Sequence, residues 1–224
     1  MENRLEIPED NFFAKGGNRL CYVDPRDSRR CLKVAMAHRT PEEKRKQARP
    51  WKRLRPIVYF DDNGREGDTY SRLQTIYGPP AFLHIPEFHG FVPTNLGNAI
   101  CTDLIRDADG EISESMKSYL LKEGFTRSLF DALSVFTDWM QKHGIPTRHL
   151  LVHNIVVQRE DDEKLQLYLI DGFGSSDPLP LVYKFRSLAK SKARRKVRAF
   201  RGRLDTFMQR NRLVYHTDPK DAFR

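Results

Sequence analysis

Four polar residues along the chain have the types and the order that phosphoryl transfer requires. Lys33 lies in an alternating, strand-like stretch sixteen residues after Gly17, and Glu66 opens a region of helical spacing. Asn154 follows a long apolar helical pattern, and Asp171 ends an apolar stretch seventeen residues later. Enzymes of this kind hold triphosphate oxygens with backbone amides and a lysine, orient that lysine with a glutamate, and bind magnesium with an Asn/Asp pair. The set therefore predicts a site for ATP and Mg²⁺.

Each of these residues also has an ordinary structural interpretation. Lys33 alone could be a solvent-facing strand lysine, and Asp171 alone could cap a turn through its side chain. Glu66 has several acidic neighbours that could replace it as the partner of Lys33, and the adjacent Gly67 weakens a helix. The pair Gly16 and Gly17 predicts a turn near the phosphates but lacks the three-glycine pattern of kinases.

The predicted site departs from the kinase pattern at the catalytic base. Protein kinases place an aspartate five residues before the metal-binding asparagine, and this chain has His149 there. A neutral imidazole can accept a proton from a substrate hydroxyl. His149 is therefore a candidate catalytic residue together with Asp171, and the alternative is a structural histidine in a catalytically weak or inactive protein.

Strands and helices in a definite order must position these residues. A hairpin is predicted at residues 20–23 and 30–34, a helix at 66–77, and two strands at 88–92 and 99–105. The strongest periodic pattern predicts a helix over 126–143, ended by Gly144. A second hairpin at 155–158 and 165–170 and a basic amphipathic helix follow. We expect an N-terminal domain of residues 1–105 and a reduced C-terminal domain of residues 106–224.

Composition excludes several classes of protein. The chain has 224 residues, 39% of them hydrophobic, and no apolar run approaches the roughly 20 residues of a membrane-spanning helix. The N-terminus has no apolar segment after a positive start, so a cytoplasmic location is expected. The three cysteines have no paired spacing typical of zinc or disulfide frameworks, so we expect them to be reduced.

The positive charge is concentrated near the C-terminus. The formal net charge is +9, and from Lys184 to Arg203 there are ten cations and no acid. This segment could contact an anionic partner, such as anionic lipid, nucleic-acid phosphates or an anionic substrate, or could be a solvated helix face. Nucleic acid ranks below a phosphorylated substrate, because the phenylalanines lie on the apolar side instead of between the cations.

The ordered motifs resemble the YrbL family, the PhoP regulatory network proteins of bacteria, over roughly residues 8–210. The motifs are GGNRLCY at 16–22, RCLKV at 30–34, IPEFHG at 85–90, HNIV at 153–156 and LIDGFG at 169–174. The resemblance implies an α+β, two-lobed protein-kinase-like fold with a small β-rich N-terminal lobe and a shortened helical C-terminal lobe. It implies that Lys33 and Glu66 form an ion pair, that Asp103 to Ile105 line the adenine linker, and that Asn154 and Asp171 hold the metal.

Three functions remain open from the sequence. The first is a phosphotransferase acting on a small-molecule or envelope-related acceptor, with the link to PhoP and magnesium regulation implied by the resemblance. The second is a pseudokinase-type regulator that binds nucleotide without transfer. The third is a basic module that binds an anion or nucleic acid and no nucleotide.

Overall fold

The computed structural model describes residues 4–161, 164–174 and 184–216. They form two compact units: Met1–Leu73 with Glu87–Leu104, and Gln74–Pro86 with Ile105–Arg224. Residues 162 and 163 of the acidic turn and the prolines at 178 and 180 lie outside the described residues.

The first unit is built on a five-stranded antiparallel sheet. Its strands are β1 (Ala14–Lys15), β2 (Arg19–Asp24), β3 (Asp27–Ala35), β4 (Phe88–Thr94) and β5 (Gly97–Asp103). They lie in the order β1-β2-β3-β5-β4. One face of this sheet carries a buried apolar cluster made of Ile7, Tyr22, Leu32, Val34, Ala99 and Cys101. Because side chains alternate along a strand, Lys33 lies on the opposite face from this cluster.

Three helices lie between β3 and β4: α1 (Pro41–Gln47), α2 (Pro50–Arg53) and α3 (Asp62–Tyr77). The side chain of Asp61 accepts a hydrogen bond from Gly64 N, at 3.0 Å, and so caps the first turn of α3. A Cβ at Gly67 would lie 2.5 Å from Cζ of Phe91. This glycine costs helix stability, but it allows α3 to approach the aromatic side chain on β4 closely.

The second unit combines a small sheet with three helices. Its strands β6 (Glu114–Ser115), β7 (Ile155–Arg159) and β8 (Leu165–Leu169) pair antiparallel, and its helices are α4 (Met116–Glu123), α5 (Arg127–His143) and α6 (Arg186–Arg210). Thr126 caps α5 by accepting a hydrogen bond from Leu129 N, and Gly144 ends it in the left-handed region at φ 69°. The apolar face predicted for α5 is buried.

The predicted α+β fold class is confirmed, with a β-rich N-terminal unit and a helical C-terminal unit. The elements follow the protein-kinase-like order of strand lysine, helical glutamate, further strands, long helix, asparagine loop, and a strand followed two residues later by an aspartate. The strand predicted at 99–105 is observed at Gly97–Asp103, and just beyond its end Leu104 N still donates to Arg29 O at 2.8 Å. No helix among residues 4–161, 164–174 and 184–216 is long and apolar enough to cross a membrane.

Candidate functional site

Lys33 and Glu66 form a buried ion pair inside the first unit. The Nζ of Lys33 lies 2.9 Å from Oε1 of Glu66, and the two side chains are only 8% and 3% exposed. Lys33 is on β3 and Glu66 is one turn into α3, so the pair joins the sheet to the helix. The solvent-facing interpretation of Lys33 is therefore wrong for this structure, because its side chain contacts Glu66 on α3 and is shielded from water.

A second cation shares the carboxylate. Nη1 of Arg19 lies 2.5 Å from Oε2 of Glu66, so the two oxygens of one glutamate each accept from a different positive side chain. Sequence reasoning missed Arg19, because strand alternation groups it with Cys21 but does not give the register that places both on the same face of the sheet as Lys33. Cys21 is paired with Lys33 across the ladder, and Arg19 is two residues away on the same face of β2. The side chains of Lys33, Arg19 and Glu66 together carry one net positive charge.

The pKa values of the pair reflect burial and mutual attraction. Burial by itself would raise the pKa of Glu66, but Lys33 and Arg19 outweigh it and lower the pKa to about 2. Burial would likewise lower the pKa of Lys33, and the Glu66 carboxylate instead holds it above its usual value. Both groups are therefore charged across the physiological range, and Lys33 is held in one position as a permanent cation.

Asn63 on α3 fixes the strand that carries Lys33. Its Nδ2 donates to the carbonyl oxygens of Lys33, at 3.1 Å, and of Asn98, at 3.0 Å. Through these bonds one side chain of α3 holds β3 and β5 at the level of the ion pair. Asn63 is buried, so the bonds are shielded from water and position the lysine backbone.

The predicted glycine turn is a tight connection between β1 and β2. Gly16 N donates to Arg19 O at 2.9 Å, and a Cβ at Gly17 would meet no atom within 4 Å. The turn is exposed and carries backbone amides in the same unit as Lys33. Phosphate contact by Gly16 and Gly17 stays a prediction.

Asp103 ends β5, and Ile105 begins the segment after it. Asp103 Oδ1 lies 2.6 Å from His89 Nε2, and its Oδ2 accepts from Glu87 N at 3.0 Å. The carboxylate is thus held by Glu87 and His89 near the start of β4, and these bonds join the start of β4 to the end of β5. The assignment of Asp103 and Ile105 to nucleotide binding stays a prediction.

In the second unit, His149, Asn154 and Asp171 come together at two crossing segments. Asn154 Nδ2 donates to His149 O at 3.1 Å, and Ile170 N donates to Asn154 O at 2.9 Å. The backbone NH groups of Arg148 and His149 both donate to Gly172 O, at 2.6 and 3.2 Å. The loop that carries His149 and Asn154 is therefore tied by backbone hydrogen bonds to the turn that follows β8.

Gly172 permits this close crossing. It has φ of 78°, and a Cβ there would collide with His149 O and lie 2.9 Å from Asn154 Nδ2. The side chain of Asp171 accepts a hydrogen bond from Gly172 N at 2.6 Å through Oδ1. The turn-capping interpretation of Asp171 thus describes one of its contacts, and it is compatible with a metal-binding role for the carboxylate.

The oxygen atoms of Asn154 and Asp171 fit a hard cation. Because Nδ2 of Asn154 donates to His149 O, the Oδ1 atom is the ligand that the amide can offer. Amide and carboxylate oxygens are the ligands that Mg²⁺ prefers in proteins. The residue types of this pair therefore suit magnesium better than a soft transition metal.

The basic helix α6 lies against the same loop. Lys196 Nζ donates to Arg148 O at 2.8 Å, and Arg203 Nη2 donates to Leu150 O at 3.0 Å. The apolar side of α6 is buried, with Ala189, Ala193, Val197, Phe200, Leu204 and Met208 inward. Two cations of the basic run thus satisfy loop carbonyl groups, a role that charge counting from the sequence could not assign.

Comparisons with known proteins agree with this order of motifs. Residues 5–205 match the family described as "PhoP regulatory network protein YrbL". The protein titled "Uncharacterized protein YrbL" from Escherichia coli (strain K12) is 27% identical over 181 residues, which cover 80% of this chain and 77% of that protein. Its counterpart from Shigella flexneri gives the same values.

A solved structure of Rad53 residues 1–466 in complex with AMP-PNP is similar at a TM-score of 0.44 and 13% identity. The similarity covers 82% of this chain and 44% of that one, so the chain spans less than half of the solved Rad53 chain. The family match, in contrast, extends over most of the sequence. The chain belongs to the YrbL family of PhoP regulatory network proteins.

Proposed function

We propose that the protein binds ATP with Mg²⁺ in the manner of a protein kinase and transfers a phosphoryl group to a small-molecule or envelope-related acceptor. The observation that carries the proposal is the buried ion pair of Lys33 and Glu66. A buried pair costs desolvation and is a weak way to stabilise a fold. It is, however, the arrangement that holds a strand lysine ready for phosphate oxygens in kinases.

The remaining residues take roles that follow from their chemistry. Gly16 and Gly17 supply backbone amides near the phosphates, and Asp103 to Ile105 line the adenine. Asn154 and Asp171 hold magnesium, which neutralises charge on the phosphates when it is bound. Gly172 supports both metal ligands, because its carbonyl oxygen ties down the loop that carries Asn154.

His149 is the candidate for the group that accepts the proton of the acceptor hydroxyl. Its backbone NH and carbonyl group are both engaged, with Gly172 O and Asn154 Nδ2. The backbone is therefore fixed, and the imidazole is the part that can reach an acceptor. A positioned imidazole contributes to catalysis as a general base.

A second candidate function is a regulator that binds nucleotide and transfers nothing. The observation that favours it is the histidine in place of the kinase aspartate. Under this alternative the ATP site is retained, and α6 offers its exposed cations to an anionic partner. A basic module without nucleotide is less favoured, since Lys196 and Arg203 are already bonded to loop carbonyls.

Ligand-induced thermal stabilisation tests the proposal. A ligand that binds only the folded state raises the melting temperature as its concentration exceeds its Kd. We expect MgATP to raise the melting temperature of the native chain, with little or no rise for Lys33→Met and Asp171→Asn. Lys46→Met, which removes an exposed lysine paired with Glu43, is the matched control and retains the full rise. If MgATP does not raise the melting temperature of the native chain, both the enzyme and the nucleotide-binding regulator are refuted.

Release of ADP then separates the two nucleotide-dependent functions. The enzyme releases ADP when an acceptor is present, and His149→Ala slows this release while MgATP still stabilises the variant. The regulator shows the same stabilisation by MgATP and releases no ADP with any acceptor. Equal ADP release by the native chain and the His149 variant would remove this residue as the base.

A further inference from the structure

The chain between α1 and α3 presents an unusual surface, which consists of residues 49–59 and is called the 49–59 segment below. All eleven of its residues are exposed. It carries four cations and no acid: Arg49, Lys52, Arg53 and Arg55. It also exposes five large apolar side chains: Trp51 at 60%, Leu54 at 86%, Ile57 at 37%, Val58 at 67% and Tyr59 at 40%. Five exposed large apolar side chains within eleven residues are a concentration, not scattered surface residues, and such concentrations mark interaction sites.

The 49–59 segment has a defined conformation that two arginine side chains hold. Arg45 Nε donates to Arg53 O, and Arg53 Nε donates to Ala48 O, both at 2.8 Å. At its far end the segment is anchored by Phe60, which is buried and packs edge-on against Tyr59 with ring centroids 5.5 Å apart. The apolar side chains are therefore exposed on a folded segment that is fixed to the first unit.

The distribution of groups distinguishes between two classes of anionic partner. Proteins that bind single-stranded nucleic acid stack bases on open aromatic rings. Here Arg49 lies over the ring of Trp51 at 5.3 Å, and Arg55 lies over the ring of Tyr59 at 4.2 Å. The most exposed apolar side chains are instead the aliphatic Leu54 and Val58, which offer no face for stacking.

A membrane surface matches the same groups without conflict. Aliphatic side chains gain by leaving water for the acyl boundary, and tryptophan and tyrosine favour the headgroup level. Lysine and arginine beside them are attracted by anionic headgroups. The absence of acids in the 49–59 segment makes this attraction uniform along its length.

We propose that the 49–59 segment docks the protein on an anionic phospholipid surface. Leu54 and Val58 enter the acyl boundary, Trp51 lies at the headgroup level, and the four cations contact lipid phosphates. The protein then lies on the membrane through a loop of the first unit. This attachment is independent of nucleotide binding, because it uses none of the residues assigned to the ATP site.

Co-sedimentation with vesicles tests the proposal on the full chain. We expect binding to vesicles that contain phosphatidylglycerol and little binding to phosphatidylcholine alone. The double variant Leu54→Ser/Val58→Ser should weaken binding by about tenfold or more. Lys52→Gln/Arg55→Gln should weaken it by about tenfold or more and make it less sensitive to salt. Val135→Ser, at an exposed apolar position of α5, is the control and leaves binding unchanged.

Tryptophan fluorescence supplies a local readout that a general change in stability would not give. The chain has two tryptophans, and Trp139 is buried in the second unit at 5% exposure. We expect anionic vesicles to shift the emission of Trp51 to shorter wavelength and brominated lipids to quench it, and Trp51→Phe to abolish both changes.

Three results would overturn the proposal. One is the absence of binding to anionic vesicles. Another is binding that survives both double variants and is lost when Arg194, Arg195 and Arg198 of α6 are neutralised. The third is tight binding of a labelled single-stranded RNA that Lys52→Gln/Arg55→Gln removes, without any blue shift on vesicles.

Discussion

Replacement of Glu66 by glutamine tests the shared carboxylate at the centre of the first unit. Glu66→Gln keeps the size and most hydrogen-bonding capacity of the side chain but removes its charge. Lys33 and Arg19, which are 8% and 12% exposed, then lose the carboxylate that both of them contact. Removal of one partner of a buried ion pair costs about 3–5 kcal/mol. We expect a loss of this size, which is a large share of a typical domain's stability.

The same geometry predicts an order among variants. Lys33→Met leaves Glu66 paired with Arg19 at 2.5 Å, so it should cost less than Glu66→Gln, about 1–3 kcal/mol. The double variant Lys33→Met/Glu66→Gln should be more stable than Glu66→Gln alone, because it no longer contains an unpaired lysine. Glu43→Gln removes one partner of an exposed pair with Lys46 and should leave the stability nearly unchanged.

Urea unfolding followed by far-UV circular dichroism measures these differences. Hydrogen exchange over β3 and α3 locates the change in the first unit. A cost below about 1 kcal/mol for Glu66→Gln, or a larger loss of stability for Lys33→Met than for Glu66→Gln, would contradict the shared carboxylate.

Three further predictions follow from the same structure. Because the folded-state pKa of Glu66 is lowered from 4.5 to about 2, its contribution to stability is complete above about pH 4.5 and is lost as the pH falls toward 2; acid titration should show a flatter profile for Glu66→Gln. Gly172→Ala should cost about 1–3 kcal/mol, since Gly172 has φ of 78° and no room for a Cβ, whereas Gly17→Ala, in open space, should be nearly neutral in thermal unfolding. The thiol of Cys31 and nearby cations lower the pKa of Cys21 to about 7. Because Cys21 is also partly exposed while Cys31 is buried, iodoacetamide should modify Cys21 first. Equal labelling of both cysteines in peptide mass spectrometry would contradict this.

Periodicity located most elements well. The helix predicted over 126–143 is observed at Arg127–His143 with Thr126 as its cap, and the hairpins fall within two or three residues of their predicted bounds. These elements have local signals, namely apolar spacing, capping residues and a terminal glycine.

Long-range contacts were less predictable. The sequence indicates Glu66 as the partner of Lys33 but offers no means of choosing it over Asp61, Asp62 and Asp68. Asp61 and Asp62 make local contacts at the start of α3 instead: Asp61 caps the helix, and Asp62 pairs with Lys44. The sharing of Glu66 with Arg19 depends on strand register, which a single sequence does not specify.

Composition also could not predict the roles of the charged segments. The run of cations in α6 appears uniform in the sequence, yet Lys196 and Arg203 satisfy loop carbonyls while others on the helix are exposed. For the 49–59 segment, the sequence predicts only that residues 38–56 are too polar for a core element. Trp51, Leu54 and Val58 have helical spacing, which by itself predicts a buried face, so their exposure emerges only from the three-dimensional structure.

The affinity of the native chain for ATP is the most direct test of the central claim. Calorimetric titration with ATP in excess Mg²⁺, and again in EDTA, measures both binding and its dependence on the metal. We expect one site per chain that binds ATP tightly with Mg²⁺ and much more weakly without it. Absence of binding heat under both conditions, in a chain that circular dichroism shows to be folded, would contradict it.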